Sequence, residues 1–294
     1  GLDPLEKLII EAALNEQSYK EDNPLIPYGT EEIAREAIDA AEAGASIVHF
    51  HPRDSDTGDA IYDGAEVYFE TMRLIRLKNK ELLMYPLYSA GNTPKERFQI
   101  VEDLASHPDV KMGFATVDVG AVNLGQFDKE GGRFISDHPF SITHEDAVHF
   151  INLCNRLDIG YHIGVRELGH VRHCVAYQQM GLIKGPIFIK LILSASHNCG
   201  MPPSATAIET YTEAMIPQDV PYIWSVQIDG AKHSEMSKVA IAMGGHVRTG
   251  LGDNPRLDGE ALSNAEQVDR VVQIARSYGR EIATPSDVRE ILRG

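Results

Sequence analysis

The sequence predicts a (β/α)8 barrel. Three observations carry the prediction: short apolar runs alternate with amphipathic helical stretches, eight such runs can be counted, and 294 residues allow about 37 per strand-helix unit. Alternation of this kind implies a parallel sheet with helices packed outside it, and a (β/α)8 barrel takes roughly 250 residues plus insertions. A doubly wound open sheet would share the alternation, but no GxGxxG motif follows the first strand.

Residues 8–14 (LIIEAAL) read as a buried first strand with Glu11 in its middle, a carboxylate that is costly there unless it is paired or bound to a metal. The polar, proline-containing stretch 15–29 suits a loop at the strand's C-terminal end. Thr30 is expected as the N-cap of a helix with Glu31 and Glu32 in its first turn, apolar residues at Ile33, Ala37, Ile38 and Ala41, and a stop at Gly44. The second strand follows as SIVHFHPRD (46–54). Helix 65–77 leads to strand 82–89, helix 94–105 to strand 111–117, helix 144–157 to strand 159–165, and helix 169–180 to strand 186–194. Helix 205–215 precedes strand 222–228, helix 234–243 precedes strand 246–251, and helix 264–278 closes the series. A last helix spans 283–292, with Thr284 as N-cap and Pro285 as its first residue. The expectation is one barrel domain over residues 1–294 with a C-terminal helical extension.

The net charge of −16 argues against a nucleic-acid surface or an anionic membrane, both of which need a positive footprint. Any anionic substrate must therefore be met by a local basic cluster. No stretch reaches the roughly 20 apolar residues of a membrane span, and the first residues lack a secretory layout, so a cytoplasmic enzyme is expected. Cys154, Cys174 and Cys199 are scattered, which suits neither a disulfide framework nor a cysteine zinc site.

In a barrel the chemistry sits at the C-terminal ends of the strands. His49 and His51 are two residues apart and share a face of the second strand, so they are either metal ligands or a hydrogen-bonded strand-end pair. Two imidazoles need a further ligand and leave room for water or substrate. The eighth strand closes against the first, and from these two strands Glu11 and Asp253 could complete the site. Arg248, five residues before Asp253, would hold it ionised and oriented, or the two form a structural ion pair. Ser89 and Thr116 are strand-end hydroxyls able to bond a carboxylate or an oxyanion.

These residues lie in stretches that resemble the β-keto acid cleavage enzymes, whose founding activity is 3-keto-5-aminohexanoate cleavage. The stretches are VHFHPRD (48–54), YSAGN (88–92), ATVDVGAVNLG (115–125), GGHVRTGLGDN (244–254) and ATPSDVREIL (283–292), in family order and over nearly the whole chain. The resemblance implies a zinc-dependent (β/α)8 barrel, homotetrameric, that condenses a β-keto acid with acetyl-CoA to give acetoacetate and a new acyl-CoA. It places His49 and His51 on the metal-binding histidines, Ser89 and Thr116 on hydroxyls that bind the β-keto acid, Arg248 on the orienting arginine and Asp253 on the catalytic aspartate. The family's third zinc ligand is a glutamate in a GxEDN pattern, where this chain has Gly252, and Glu11 is expected to take over. In the first loop Ser18 falls where the founding enzyme has a glutamate for the substrate's amine, which implies a neutral or carboxylated substrate side chain instead. The alternatives are a hydrolase or aldolase using zinc or another divalent transition metal on the same barrel, and a non-catalytic relative that binds a small ligand.

Overall fold

The apolar runs assemble into a parallel barrel whose helices lie outside it. The structure, a computed structural model, describes residues 6–229 and 232–294. In chain order the strands are β1 (Ile10–Ala13), β2 (Ile47–His49), β3 (Leu83–Tyr85), β4 (Phe114–Asp118), β5 (Gly120–Asp128), β6 (Arg133–Ile142), β7 (Gly160–Val165), β8 (Ile187–Ser194), β9 (Tyr222–Asp229) and β10 (His246–Thr249). Eight of them form one sheet in the order β3-β2-β1-β10-β9-β8-β7-β4. A parallel bridge between Met84 and Gly113 joins its two edges, which closes the barrel as the sequence predicts. Closure sets β10 against β1 with Arg248 opposite Glu11.

The helices are α1 (Thr30–Ala43), α2 (Ala65–Lys78), α3 (Pro94–Ser106), α4 (His144–Leu157), α5 (Leu168–Gln179), α6 (Ala205–Glu209), α7 (His233–Ala242), α8 (Asn264–Ser277) and α9 (Pro285–Arg293). Two local expectations need correction. Gly29, not Thr30, holds the N-cap position of α1, and the Thr30 hydroxyl instead accepts a hydrogen bond from Thr71. The helix expected over 205–215 is α6 followed by a π-helical turn, Thr210–Ala214, where the Thr210 and Thr212 hydroxyls bond back to Thr206 and Ile208 carbonyls. At α9 the reading holds: Thr284 caps Asp287 N–H, Asp287 answers with its carboxylate, and Pro285 stands first in the helix.

The interior of the barrel has two levels, because side chains along a strand alternate. Ile9, Ile47, Leu83, Phe114, Phe188 and Ile223 fill the lower level, and Val288 of α9 packs against them from below. Two residues further along the same strands stand Glu11, His49, Tyr85 and Lys190, all buried, joined by His162 and Arg248. Apolar floor thus gives way to a polar layer within one pleat repeat.

The strands β5 and β6 were not anticipated. They form an antiparallel hairpin between β4 and α4, outside the barrel. Gly132, at φ 63°, turns it, and Phe127 and Phe134 pack ring on ring near the turn. The loop after β8 ties to it, with Asn198 N–H donating to Gly125 O and Asn198 Oδ1 accepting from Phe127 N–H. Among the described residues no helix is long and apolar enough to cross a membrane.

Candidate active site

The loop after β1 is folded onto β2 by Asn15. Its amide donates to Pro27 O and His51 O and accepts from His51 N–H at 2.8 Å, so a buried side chain replaces ladder bonds beyond the strand ends. Glu16 follows with φ 42°, a left-handed backbone that is uncommon and strained for a residue with a Cβ. Arg53 holds this turn: its guanidinium lies between the Tyr19 and Tyr28 rings and donates to Glu16 O at 3.0 Å.

That backbone points the Glu16 carboxylate at the histidine pair. His49 Nε2 lies 3.2 Å from Oε1 and His51 Nε2 lies 2.9 Å from Oε2. His49 Nδ1 is 3.0 Å from Tyr85 O, an atom that only accepts, so Nδ1 carries a ring proton and Nε2 is the nitrogen turned to Glu16. Burial, the largest influence, lowers the His49 pKa and favours the neutral ring a metal ligand requires, although Glu16 opposes it. His51 Nε2 is buried and, despite its closeness to Glu16, is in no hydrogen-bond alignment. Burial pulls the Glu16 carboxyl upward, but His51, Arg248 and His49 outweigh it and leave it well below the usual carboxylate range.

The three candidate ligand atoms lie within 4.8 Å of one another. Two imidazole nitrogens, one of them orphaned, and one ionised carboxylate on a single face fit a zinc-like divalent cation with an open position. This departs from expectation at one point. Glu11 does not join the group, because its Oε1 is 2.7 Å from His162 Nε2 and its Oε2 accepts from Tyr85 OH at 2.7 Å and Arg248 at 3.2 Å. Burial would raise the Glu11 pKa, but the His162 bond, Arg248 and Lys190 hold it far below normal. Burial also lowers His162 to about 4, so at neutral pH it serves Glu11 as a neutral N–H donor and the charge on Glu11 is balanced by Arg248 and Lys190.

Gly252 accounts for the place of Glu16. A Cβ built at 252 would stand 2.5 Å from Glu16 Cγ, so the glutamate fills the space a side chain at 252 would need. The next residue is Asp253, held by Arg248 through two parallel bonds of 2.8 and 2.9 Å. Burial raises the Asp253 pKa, and Arg248 only partly offsets that. Arg248 also donates to Glu16 Oε1 at 2.7 Å, so one guanidinium joins Glu11, Glu16 and Asp253.

A cavity of about 610 Å³ opens above this layer and is lined by Glu16, His49, His51, Ser89, Thr116 and Arg248, together with Arg97, Asp118, Arg166 and Lys190. A larger groove of about 770 Å³ runs outside the barrel between α7 and α8. It contains none of the candidate ligands, so the chemistry is assigned to the first. The structure brings Ser89 and Thr116 to the cavity as expected. Ser18 is elsewhere: its hydroxyl donates to Gly252 O at 3.1 Å and ties the first loop to the last, while Gln17 takes the lining position. Sequence reasoning missed Glu16 and Lys190. Lys190 carries the same signal as Glu11, a charge inside the apolar run IFIKLILS; Glu16 is distinguished only by its fold context.

The description "beta-keto acid cleavage enzyme" matches residues 7–293. A 3-keto-5-aminohexanoate cleavage enzyme of Fusobacterium nucleatum is 36% identical over 294 residues, 98% of each chain. A 3,5-dioxohexanoate:acetyl-CoA acetone transferase of Paraburkholderia graminis is 24% identical over 92% of this chain and 90% of its own. Among solved structures, the apo structure of ObcA superposes with a TM-score of 0.71 at 16% identity, covering 92% of this chain, which spans 65% of ObcA and shares its fold. From motifs, barrel and match over nearly its full length, the chain belongs to the β-keto acid cleavage enzyme family.

Proposed function

We propose that the protein condenses a β-keto acid with acetyl-CoA, releasing acetoacetate and the acyl-CoA of the remaining fragment, at a centre held by His49, His51 and Glu16. The observation that carries the reading is Arg248, which lines the cavity and bonds both Glu16 of the donor set and Asp253, so one side chain couples a ligand group to an acid behind it. A divalent cation bound there would supply polarisation of the substrate's keto group.

Asp253 is the base. Its raised pKa suits removal of a proton from the carbon between the keto and carboxylate groups, and Arg248 keeps it oriented. Ser89 and Thr116 supply hydroxyls to the substrate's oxygens. The resulting carbanion forms a C–C bond to the acetyl carbon as the C–S bond breaks and coenzyme A leaves as its thiolate. The thiolate adds to the original keto carbon, the old C–C bond breaks to give the new acyl-CoA, and the acetoacetate carbanion takes back the proton held by Asp253. The same resemblance supports a homotetramer, which the mass in solution checks. Ser18 in place of the founding enzyme's glutamate favours an amine-free β-keto acid.

A panel of β-keto acids incubated with and without acetyl-CoA tests the reading. Acetoacetate formed only with acetyl-CoA supports it. Loss of the acid without acetyl-CoA would instead support a hydrolase or aldolase, and no turnover with no bound metal a ligand-binding role.

A further inference from the structure

Lys190 lies in the middle of β8 with its side chain inside the barrel, 5% exposed, and its Nζ borders the cavity. Its recorded contacts are Thr116 Oγ1 at 3.4 Å and the Tyr85 ring at 5.6 Å. Among the described residues no carboxylate is within ion-pair distance of it. The nearby acids are engaged: Glu11 by His162, Tyr85 and Arg248, and Glu16 by the histidines and Arg248. Glu11, Asp118 and Glu16 act on it only from beyond ion-pair distance. Burial first, and the like charge of Arg248 second, lower the Lys190 pKa to about 8, which leaves it mainly ammonium at neutral pH.

An ammonium buried with no anion in direct contact is costly, and one on an open cavity has a place for a contacting charge. Arg97 and Arg166 line the same cavity and also make no ion pair among the described residues. A chain of net charge −16 thus gathers three cations without a direct ion pair around one cavity, beside the single further carboxylate of Asp118, the local basic cluster that an anionic ligand requires. The Thr116 hydroxyl accepts from Lys190, so its own proton remains free to donate.

We propose that Lys190 is the carboxylate anchor of this cavity, its Nζ and the Thr116 hydroxyl together taking the carboxylate of a β-keto acid. The assignment rests on the reading of the site as a β-keto acid site. It makes Lys190 a specificity-determining residue: an ester or simple ketone filling the cavity would leave the ammonium dry and unpaired, and is rejected for that reason.

Calorimetric titration with acetoacetate and with its uncharged methyl ester tests this, on protein whose metal content and melting temperature are measured alongside. The wild type is expected to prefer the acid. Lys190→Met should weaken acetoacetate binding by about tenfold or more, as loss of a charge-assisted bond requires, and leave the ester nearly unchanged. Lys190→Arg should restore part of the loss. In turnover, KM for the β-keto acid should rise in Lys190→Met while KM for acetyl-CoA stays. Acetoacetate affinity in Lys190→Met equal to that of the wild type overturns the anchor, as does a wild type that does not distinguish acid from ester. If Lys190→Met does not fold, Thr116→Val carries the test, with a selective loss for the acid expected and equal affinity overturning it. Absence of acetoacetate formation across the substrate panel, with the acid preference intact, would refute the activity and leave the anchor. Turnover with unaltered affinity in Lys190→Met would do the reverse.

Discussion

The two levels of the barrel interior are built on the same strands and obey opposite rules. Ile9 and Glu11, Ile47 and His49, Leu83 and Tyr85, Phe188 and Lys190 are each two residues apart, yet the first of each pair sits in an apolar floor beneath which α9 is packed and the second in a network of ions. The floor is held by area removed from water and by close packing, which tolerate exchange of one hydrophobic group for another of like volume. The upper level is held by matched charges and hydrogen bonds, where removal of one member leaves the others buried and unmatched. One pleat repeat separates stability from chemistry.

The sharpest way to break the contrast is Arg248→Met. It leaves Glu11, Glu16 and Asp253 without their shared cation, and a loss of about 3–5 kcal/mol in unfolding free energy is expected together with loss of turnover. Arg248→Lys should not restore activity, since an ammonium cannot make the parallel pair of bonds to Asp253. Phe188→Ala in the floor is expected to cost about 3–5 kcal/mol by denaturant titration while KM stays the same, which separates the two levels by readout. A changed KM would show that they are not independent.

The upper level should also fail first in acid. His162 has a folded pKa of about 4 against an ordinary 6.5, so between these values the unfolded chain binds the proton that the folded chain refuses. Its contribution is fully present above pH 6.5 and is lost as pH falls toward 4, about 3 kcal/mol in all. His162→Gln should flatten that part of the stability profile. Glu16→Gln is expected to weaken metal binding by about 10–100-fold, and Glu11→Gln to leave metal content unchanged; the reverse result would return the third ligand to β1. Smallest is Thr284→Ala, about 1 kcal/mol of stability from the lost cap of α9, with no kinetic effect.

Much of this was legible in the chain because it is local. Strand and helix alternation, the Thr284 cap and the histidine spacing depend on near neighbours, and the structure reproduces them. The buried charge of Glu11 was also legible, but its partners were not, since Tyr85, His162 and Arg248 arrive from 74 to 237 residues away. Glu16 was hidden for a further reason. Nothing in a polar loop marks it, and its place depends on a left-handed turn and on the space left by the glycine at 252. The hairpin of β5 and β6 is marked in the sequence only by its Gly131-Gly132 turn, because the exposed β6 lacks the clean alternation of a half-buried strand.

Arg248 has one more consequence. Because a single planar group bonds Glu16 and Asp253 together, the ligand side and the base do not respond independently. If a cation at Glu16 shifts the proton affinity of Asp253, then by reciprocity a proton on Asp253 shifts the cation affinity of Glu16 by the same factor. With a cation held there, a metal isotherm and a pH profile would be two views of one linked equilibrium.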